Sequence, residues 1–180
     1  MAKDTIVLIG VTDTIKALKA FDKDAVKSFN KVINSELKIA KNDAQGFVQA
    51  KPPLSGWSTK PAVKPRTRGG AGWPAWDQSV IREGISSSKS EGKVRKDYTT
   101  SVGALKNKSA AGVIYELAGR DNKGAGKNRF ISNLEKRESQ ASRLVWKSVD
   151  KNKDRFINNV ERAFKDAQAA LQRKLDTRRV

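Results

Sequence analysis

The middle of the chain reads YTTSVGALKNKSAAGVIYELAGR (residues 98–120), and we expect the other apolar segments to pack against it. Its first part, residues 98–105, alternates in the way that is typical of a strand. After a basic turn, Ser109 is placed to cap a short helix that has one apolar face. Gly119 follows at the point where a left-handed residue would end that helix. The stretch therefore predicts a strand, a turn and a short central helix.

Two long helices are predicted on either side of this stretch. From Ala25 onward, apolar residues recur at helical spacing, and this helix should end before Pro52. The second helix is predicted from about Asp150 to Asp176, with acidic residues near its start and basic residues near its end, as the helix dipole favours. The short apolar run TIVLI (residues 5–9) predicts a buried strand at one edge of the sheet.

Shorter segments complete the predicted fold. We expect a helix after the first strand, with Ile15, Leu18 and Phe21 on its inner face, and a further strand at residues 80–87. One helical turn is predicted around residues 130–134, and a second short helix or packing segment within residues 139–149. The fold class is therefore α+β: a small antiparallel sheet flanked by a long N-terminal-half helix, a short central helix and a long C-terminal helix, in a single domain over residues 1–180.

Residues 50–77 differ from the rest of the chain in composition. They hold all five prolines and three of the four tryptophans, and no period fits them. We predict an extended loop or arm, for which a disordered linker is the alternative. Because tryptophan rings are costly to leave in water, Trp57, Trp73 and Trp76 are predicted to pack against a neighbouring subunit or their own domain, with base stacking as the third alternative.

The charge of the chain indicates a polyanionic neighbour. Lys and Arg number 37 against 19 Asp and Glu, which leaves a net charge of +18. Nucleic acid, an acidic protein surface or a membrane would each suit such a charge, although many of these lysines equally suit solvated faces. The acid-free arm carries Lys60, Lys64, Arg66 and Arg68, which could contact phosphates. No nucleic-acid-binding signature accompanies them, so sequence-specific reading is not expected.

The chain contains no Cys and no His. Disulfides and Cys/His zinc sites are therefore excluded, as is catalysis by a His base or a Cys nucleophile. The segment GAGKN (residues 124–128) fails as a phosphate-binding loop, because Asp121 and Asn128 stand where Gly and Ser or Thr are required. Glu116 and Arg120, four residues apart on one helix, predict a surface or interface ion pair rather than a general base. We expect no metal, no cofactor and no enzymatic activity.

The longest apolar run near the start of the chain covers residues 6–9. That is far short of a membrane helix or of the apolar part of a signal peptide. We therefore expect a soluble protein that is intracellular when it is made and has no membrane partner.

Four features carry a resemblance to a known family: GVTDTIKALKAF (residues 10–21), PPLSGW (residues 52–57), AAGVIYELAGR (residues 110–120), and the order RFISNLE, SRLVWKSVDKN and a long terminal helix. With these features the chain resembles the tail-completion or neck proteins of long-tailed phages, in the versions found in phages of actinobacteria. It departs from many members of that family by its long Trp/Pro/Gly insertion at residues 50–77. This insertion leaves open which of the rings in the neck the chain would form.

The resemblance implies a small α+β subunit that assembles with copies of itself into a closed, commonly sixfold ring, a head–tail connector or tail terminator of the virion. Its neighbours would be the adjacent connector and tail tube proteins, with phage DNA passing through the lumen. On this reading Trp57, Trp73, Trp76, Glu116 and Arg120 belong to the subunit interface, and the basic residues of the arm face DNA. The alternative function is a non-specific nucleic-acid-binding protein that acts as a monomer or dimer.

Overall fold

The computed structural model describes residues 4–9, 23–60, 73–89, 99–120, 129–138 and 141–177. The helix predicted after the first strand, with Ile15, Leu18 and Phe21, lies outside these residues. The described chain forms three strands and five helices, in the order β1 (Asp4–Ile9), α1 (Lys23–Gly46), α2 (Gln78–Gly84), β2 (Ile85–Lys89), β3 (Thr99–Asn107), α3 (Ala110–Leu117), α4 (Arg129–Arg137) and α5 (Val145–Thr177). This confirms the α+β class, with one long helix in the N-terminal half and another at the C-terminal end.

The described strands form one small sheet in the order β1-β3-β2. β1 pairs with β3 in antiparallel fashion, with Asp4 opposite Leu105 and Ile9 opposite Thr99. The register shifts between Thr5 and Val7, as at a β-bulge. The first strand therefore lies at an edge, as predicted, and the strand predicted from the middle of the chain is the central one.

The turn into α3 follows the local chemistry of its residues. The Ser109 hydroxyl accepts a hydrogen bond from the backbone N–H of Gly112 at 3.2 Å and so caps the helix. The Asn107 side chain accepts from the backbone N–H of Ser109 at 3.0 Å, which holds the cap in place. Gly119 has a φ of +95°, the left-handed conformation predicted for the end of this helix.

The strand predicted at residues 80–87 is wrong in its first half. The chain forms α2 through Gly84, and β2 begins only at Ile85. The reason is the Asp77 carboxylate, which accepts hydrogen bonds from the backbone N–H groups of Ser79 at 2.8 Å and Val80 at 3.1 Å. These bonds satisfy donors that a helix start leaves unpaired, and they favour a helix over the strand that alternation suggested.

Two further segments are longer than predicted. The single turn expected around residues 130–134 is the nine-residue helix α4. The short segment expected at residues 139–149 is the start of α5, which already begins at Val145 and runs for 33 residues. Because Leu144, Val145 and Ser148 are all buried, this first part of α5 belongs to the core rather than to a connecting segment.

The chain divides into two compact units. One comprises Met1–Ala40, Ser87–Leu105 and Asp150–Val180, and the other comprises Lys41–Ser86 and Lys106–Val149. The single domain over residues 1–180 stays a prediction.

The core of the first unit joins the first half of α1 to the middle of α5. Its buried side chains are Phe29, Ile33, Leu37, Phe156 and Val160. The Glu36 carboxylate, which is also buried, accepts from the Arg155 Nε at 3.0 Å and from the Asn159 amide at 2.9 Å. β3 packs on α1 at Gly103, where a Cβ atom would lie within 3 Å of the Leu37 side chain. The face of β3 that carries Gly103 and Leu105 is thus the buried one.

The core of the second unit is aromatic and gathers short elements around α3. Its buried residues are Ala44, Val48, Trp57, Trp76, Ile81, Ile85, Ala111, Tyr115, Leu134 and Leu144. They come from the end of α1, the segment that follows it, α2, β2, α3, α4 and the residue before α5. Within this unit, the middle stretch contributes Ala111 and Tyr115 to the core.

Candidate functional site

Five aromatic rings of the second unit contact one another and form what we call the aromatic cluster: Trp57, Trp73, Trp76, Tyr115 and Phe130. The Trp57 and Trp76 centroids lie 5.1 Å apart, and those of Trp76 and Tyr115 lie 5.2 Å apart, both edge to face. Trp73 closes the other end, 5.9 Å from Trp57 and 5.4 Å from Phe130. Such tilted contacts are the favoured geometry for aromatic pairs.

The three tryptophans of the arm differ sharply in exposure. Trp57 and Trp76 are only 3% and 2% exposed, whereas Trp73 is 39% exposed. The indole N–H of Trp57 donates to the Pro74 carbonyl at 2.9 Å, and that of Trp76 donates to the Gln49 carbonyl at 3.1 Å. Trp57 and Trp76 therefore pack on their own domain. This corrects their prediction as subunit anchors, because almost none of their surface is open to a partner.

The two described ends of the arm lie side by side. The backbone N–H of Trp76 donates to the Ser58 carbonyl at 2.8 Å, so described residues on the two sides of segment 61–72 lie next to each other. Lys60, two residues after Ser58, is exposed. Lys64, Arg66 and Arg68 lie outside the described residues.

Glu116 lies inside the second unit rather than on a surface. It is 5% exposed, and its carboxylate accepts hydrogen bonds from the backbone N–H of Leu144 and, at 3.0 Å, from that of Trp146. The predicted surface or interface ion pair with Arg120 is thus wrong, because the carboxylate turns inward to cap α5. Arg120 is exposed, and its guanidinium stands 5.2 Å from the centre of the Trp146 ring.

Arg143 is a buried residue that the sequence analysis missed. Its guanidinium donates to the carbonyls of Tyr115 at 2.6 Å and Ala118 at 3.0 Å, at the C-terminal end of α3. It also lies 5.5 Å from the Tyr115 ring centre. Burial lowers the pKa of Arg143, an effect that the nearby Tyr115 and Glu116 oppose. Nothing in the local pattern separates this arginine from its solvated neighbours, because its partners lie about 25 to 28 residues away in the chain.

The remaining chemistry of the described residues is limited. Within the part of the chain that the structure describes, no group of three or more acidic side chains is placed to hold a metal ion. None of the described helices has the length and apolar character needed to cross a membrane.

No protein-family model matches the chain, and neither the curated proteins nor the solved structures include a significant match to it. Any inference about function therefore depends on the residues of the aromatic cluster and its surroundings. They combine a partly exposed tryptophan that packs on other aromatic rings with exposed Lys60, near the start of an acid-free, basic stretch of sequence.

Proposed function

We propose that this protein is a structural virion protein of a tailed phage, and that it forms an oligomeric ring at the head–tail junction around the DNA passage. It acts by assembly and not by catalysis. It is made in the host cytoplasm, and its partners are further copies of itself, the adjacent connector and tail tube proteins, and DNA bound without regard to sequence. The observation that carries the proposal is the exposure of Trp73.

Trp73 has the properties of an interface anchor. Trp73 is 39% exposed, yet its ring packs on those of Trp57 and Phe130 at centroid distances of 5.9 Å and 5.4 Å. A ring that is already held in place loses little conformational entropy when a partner covers it. Tryptophan is also among the residues that most often dominate binding energy at protein interfaces. Val80, at 55% exposure, adds a second large apolar side chain in the same unit.

The charge of the chain supports the location around DNA. A net charge of +18 suits a surface that neutralises phosphates without reading bases. Five of the basic residues, and no acidic ones, fall in residues 51–76, the segment that also carries the three tryptophans of the aromatic cluster. The Trp73 region thus contacts neighbouring subunits, and the surplus positive charge is available to DNA.

The mass of the purified protein, measured by light scattering with and without DNA at low and moderate salt, tests the proposal. We expect a discrete ring whose mass is a multiple of the 19.8 kDa subunit and which survives moderate salt without DNA. The variant Trp73→Ala should be monomeric with an unchanged near-ultraviolet circular dichroism spectrum outside the tryptophan bands. The matched variant Trp73→Phe, which keeps an aromatic anchor, should retain the ring.

A different result would favour the alternative function. A protein that remains monomeric alone, gains mass only with DNA and loses that gain as salt rises is a non-specific nucleic-acid-binding protein. In that case Trp73→Ala should weaken DNA binding, because an exposed indole beside basic residues can also stack on bases.

A further inference from the structure

The first half of α1 has an outer face that carries positive charge. Lys27, Lys31 and Lys38 are exposed and follow one another at spacings of four and seven residues. Because an α-helix makes one turn in 3.6 residues, these spacings place the three side chains on one face, which we call the lysine face. At 1.5 Å per residue, the lysine face is about 16 Å long.

The acidic residue that the sequence places between these lysines lies on another side of the helix. Glu36 is only 6% exposed, and it is the one acidic residue between positions 27 and 40. Its carboxylate accepts hydrogen bonds from the Arg155 Nε at 3.0 Å and from the Asn159 amide at 2.9 Å, both on α5. The fold thus removes from the lysine face the negative charge that would have offset its cations.

Asp24 precedes the lysine face and belongs to the start of the helix. It lies in the first turn of α1, where the helix dipole favours an acidic residue. Lys27 contacts its carboxylate at 3.0 Å, but the two side chains are 78% and 83% exposed, and an ion pair so open to water contributes little stability. Among the described residues, Lys31 and Lys38 have no ion-pair partner. The charge of the lysine face is therefore accessible to a ligand.

The lysine face differs from an ordinary solvated helix face. On α5, Asp150 and Asp154 flank Lys151 and Lys153, so that both signs of charge mix within one turn, as is typical of a solvated face. On the lysine face the other exposed residues are small, neutral and polar. They are Ser28, Asn34 and Ser35.

This composition fits phosphates rather than a protein partner. The centres of protein interfaces are rich in aromatic side chains, Met and Arg, and poor in Lys and Ser. Lys, Ser and Asn side chains are instead common hydrogen-bond donors to the phosphate oxygens of nucleic acids. We propose that the lysine face of α1 is the surface through which this protein contacts the phosphate backbone of DNA.

This inference rests on the proposed function, because it assigns a surface of the subunit to the DNA that passes through the ring. Phosphates recur every 3.4 Å along the axis of one DNA strand, so a face of about 16 Å spans about five nucleotides. Contacts to phosphates carry no sequence information. The lysine face would therefore accept any sequence that passes along it.

The salt dependence of DNA binding tests the inference. The affinity of the full-length protein for a fluorescein-labelled DNA duplex is measured by fluorescence anisotropy at a series of salt concentrations. Each phosphate neutralised by a lysine contributes about 0.9 to the slope of log affinity against log salt concentration. The variant Lys27→Gln/Lys31→Gln/Lys38→Gln should therefore reduce the magnitude of that slope by about 2 to 3 per bound subunit.

A second triple variant controls for the loss of net charge. Lys136, Lys153 and Lys165 are exposed and lie on α4 and α5. Replacing all three with Gln removes the same charge from the protein but leaves the lysine face intact. The slope of this control should differ from that of the wild type by less than about 1.

A single substitution separates DNA binding from folding. Asn34 is exposed between Lys31 and Lys38, and Glu has a higher helix propensity than Asn and pairs favourably with a Lys four residues later. Asn34→Glu should therefore keep or raise the free energy of unfolding, yet weaken DNA binding about two- to fivefold. The matched control is Asn158→Glu, which is exposed on α5 four residues before Arg162 and should bind DNA like the wild type.

Three results would overturn the inference. They are equal slopes for the two triple variants, unchanged DNA affinity in Asn34→Glu, and tighter binding of polyglutamate than of the duplex, which would assign the lysine face to an acidic protein. The ring is judged separately, from the mass of the wild type without DNA. A ring whose DNA binding ignores the lysine face would reject this inference alone, and a monomer whose DNA binding depends on that face would reject only the ring.

Discussion

The carboxylate of Glu116, on α3, accepts a hydrogen bond of 3.0 Å from the backbone N–H of Trp146, in the first turn of α5. It also accepts from Leu144, so a side chain of one helix caps the start of another. The first turn of α5 has no acidic residue of its own, and Glu116 supplies the negative charge that a helix N-terminus favours. In return, Arg143 binds two carbonyls at the end of α3. Glu116 thus satisfies donors at the start of α5, and Arg143, which lies just before α5, satisfies acceptors at the end of α3.

We expect Glu116→Ala to lower the free energy of unfolding by about 2 to 3 kcal/mol, because it removes a cap and leaves two partly or fully buried N–H groups unpaired. Urea denaturation followed by circular dichroism measures this change. Glu161→Ala, an exposed position on α5, is the control and should change stability by about 0.5 kcal/mol or less. Equal effects of the two substitutions would contradict the capping role.

The exposure difference among the tryptophans predicts a difference in stability. Trp57→Ala should lower the free energy of unfolding by about 3 to 5 kcal/mol, because it empties a fully packed site and orphans the Pro74 carbonyl. Trp73→Ala should lower it by only about 1 to 2 kcal/mol, since its losses are two ring contacts and partial burial. Denaturant titration of both variants separates the values. A larger loss from Trp73→Ala would place Trp73, not Trp57, at the centre of the core.

The close packing of β3 on α1 predicts coupling between Gly103 and Leu37. A Cβ atom at position 103 would lie 2.6 Å and 2.8 Å from the two methyl carbons of Leu37. Gly103→Ala should therefore lower the free energy of unfolding by about 1 to 2 kcal/mol through overpacking. In a Leu37→Ala background the added methyl group fills space and should be neutral or stabilising. A double-mutant cycle measures the difference, and the same effect in both backgrounds would refute the contact.

Tyr115 predicts a loss of stability at alkaline pH. Burial, with smaller contributions from the hydrogen-bonded Glu138, raises the pKa of Tyr115 above its ordinary value. In the unfolded chain the phenol ionises at about pH 10. In the folded protein the Tyr115 phenol keeps its proton at that pH. Below that pH the protonated phenol makes its full contribution to the stability of the folded protein. Above it, the unfolded state binds fewer protons than the folded state, so stability falls as pH rises.

The measurement is the free energy of unfolding as a function of pH for the wild type and for Tyr115→Phe. The phenylalanine variant cannot ionise at this site, so its stability should decline less steeply above about pH 10. Lysines and arginines titrate alike in both proteins and cancel in the comparison. Parallel pH profiles would mean that the phenol is accessible to water in the folded protein.

Local patterns were sufficient to predict much of the fold. The cap at Ser109, the left-handed Gly119 and the two long amphipathic helices depend on residues within a few positions of each other, and all are confirmed. The strand predicted at residues 80–87 is wrong in its first half. The alternation of apolar and polar residues there favours a strand, but the Asp77 cap stabilises a helix through Gly84. The start of α5 was missed because Glu116, its cap, lies about 30 residues away in the chain.

The sequence by itself determined the secondary-structure class, the charge, the absence of Cys and His, and the position of an unusual tryptophan-rich arm, because these depend on composition and short-range periodicity. Only the tertiary structure decided which side chains remain exposed to solvent. It buried Trp57 and Trp76, left Trp73 partly exposed and turned Glu116 inward. Exposure is a property of the whole packed unit: a side chain is covered or free according to neighbours distant in the chain, and no local pattern encodes those neighbours.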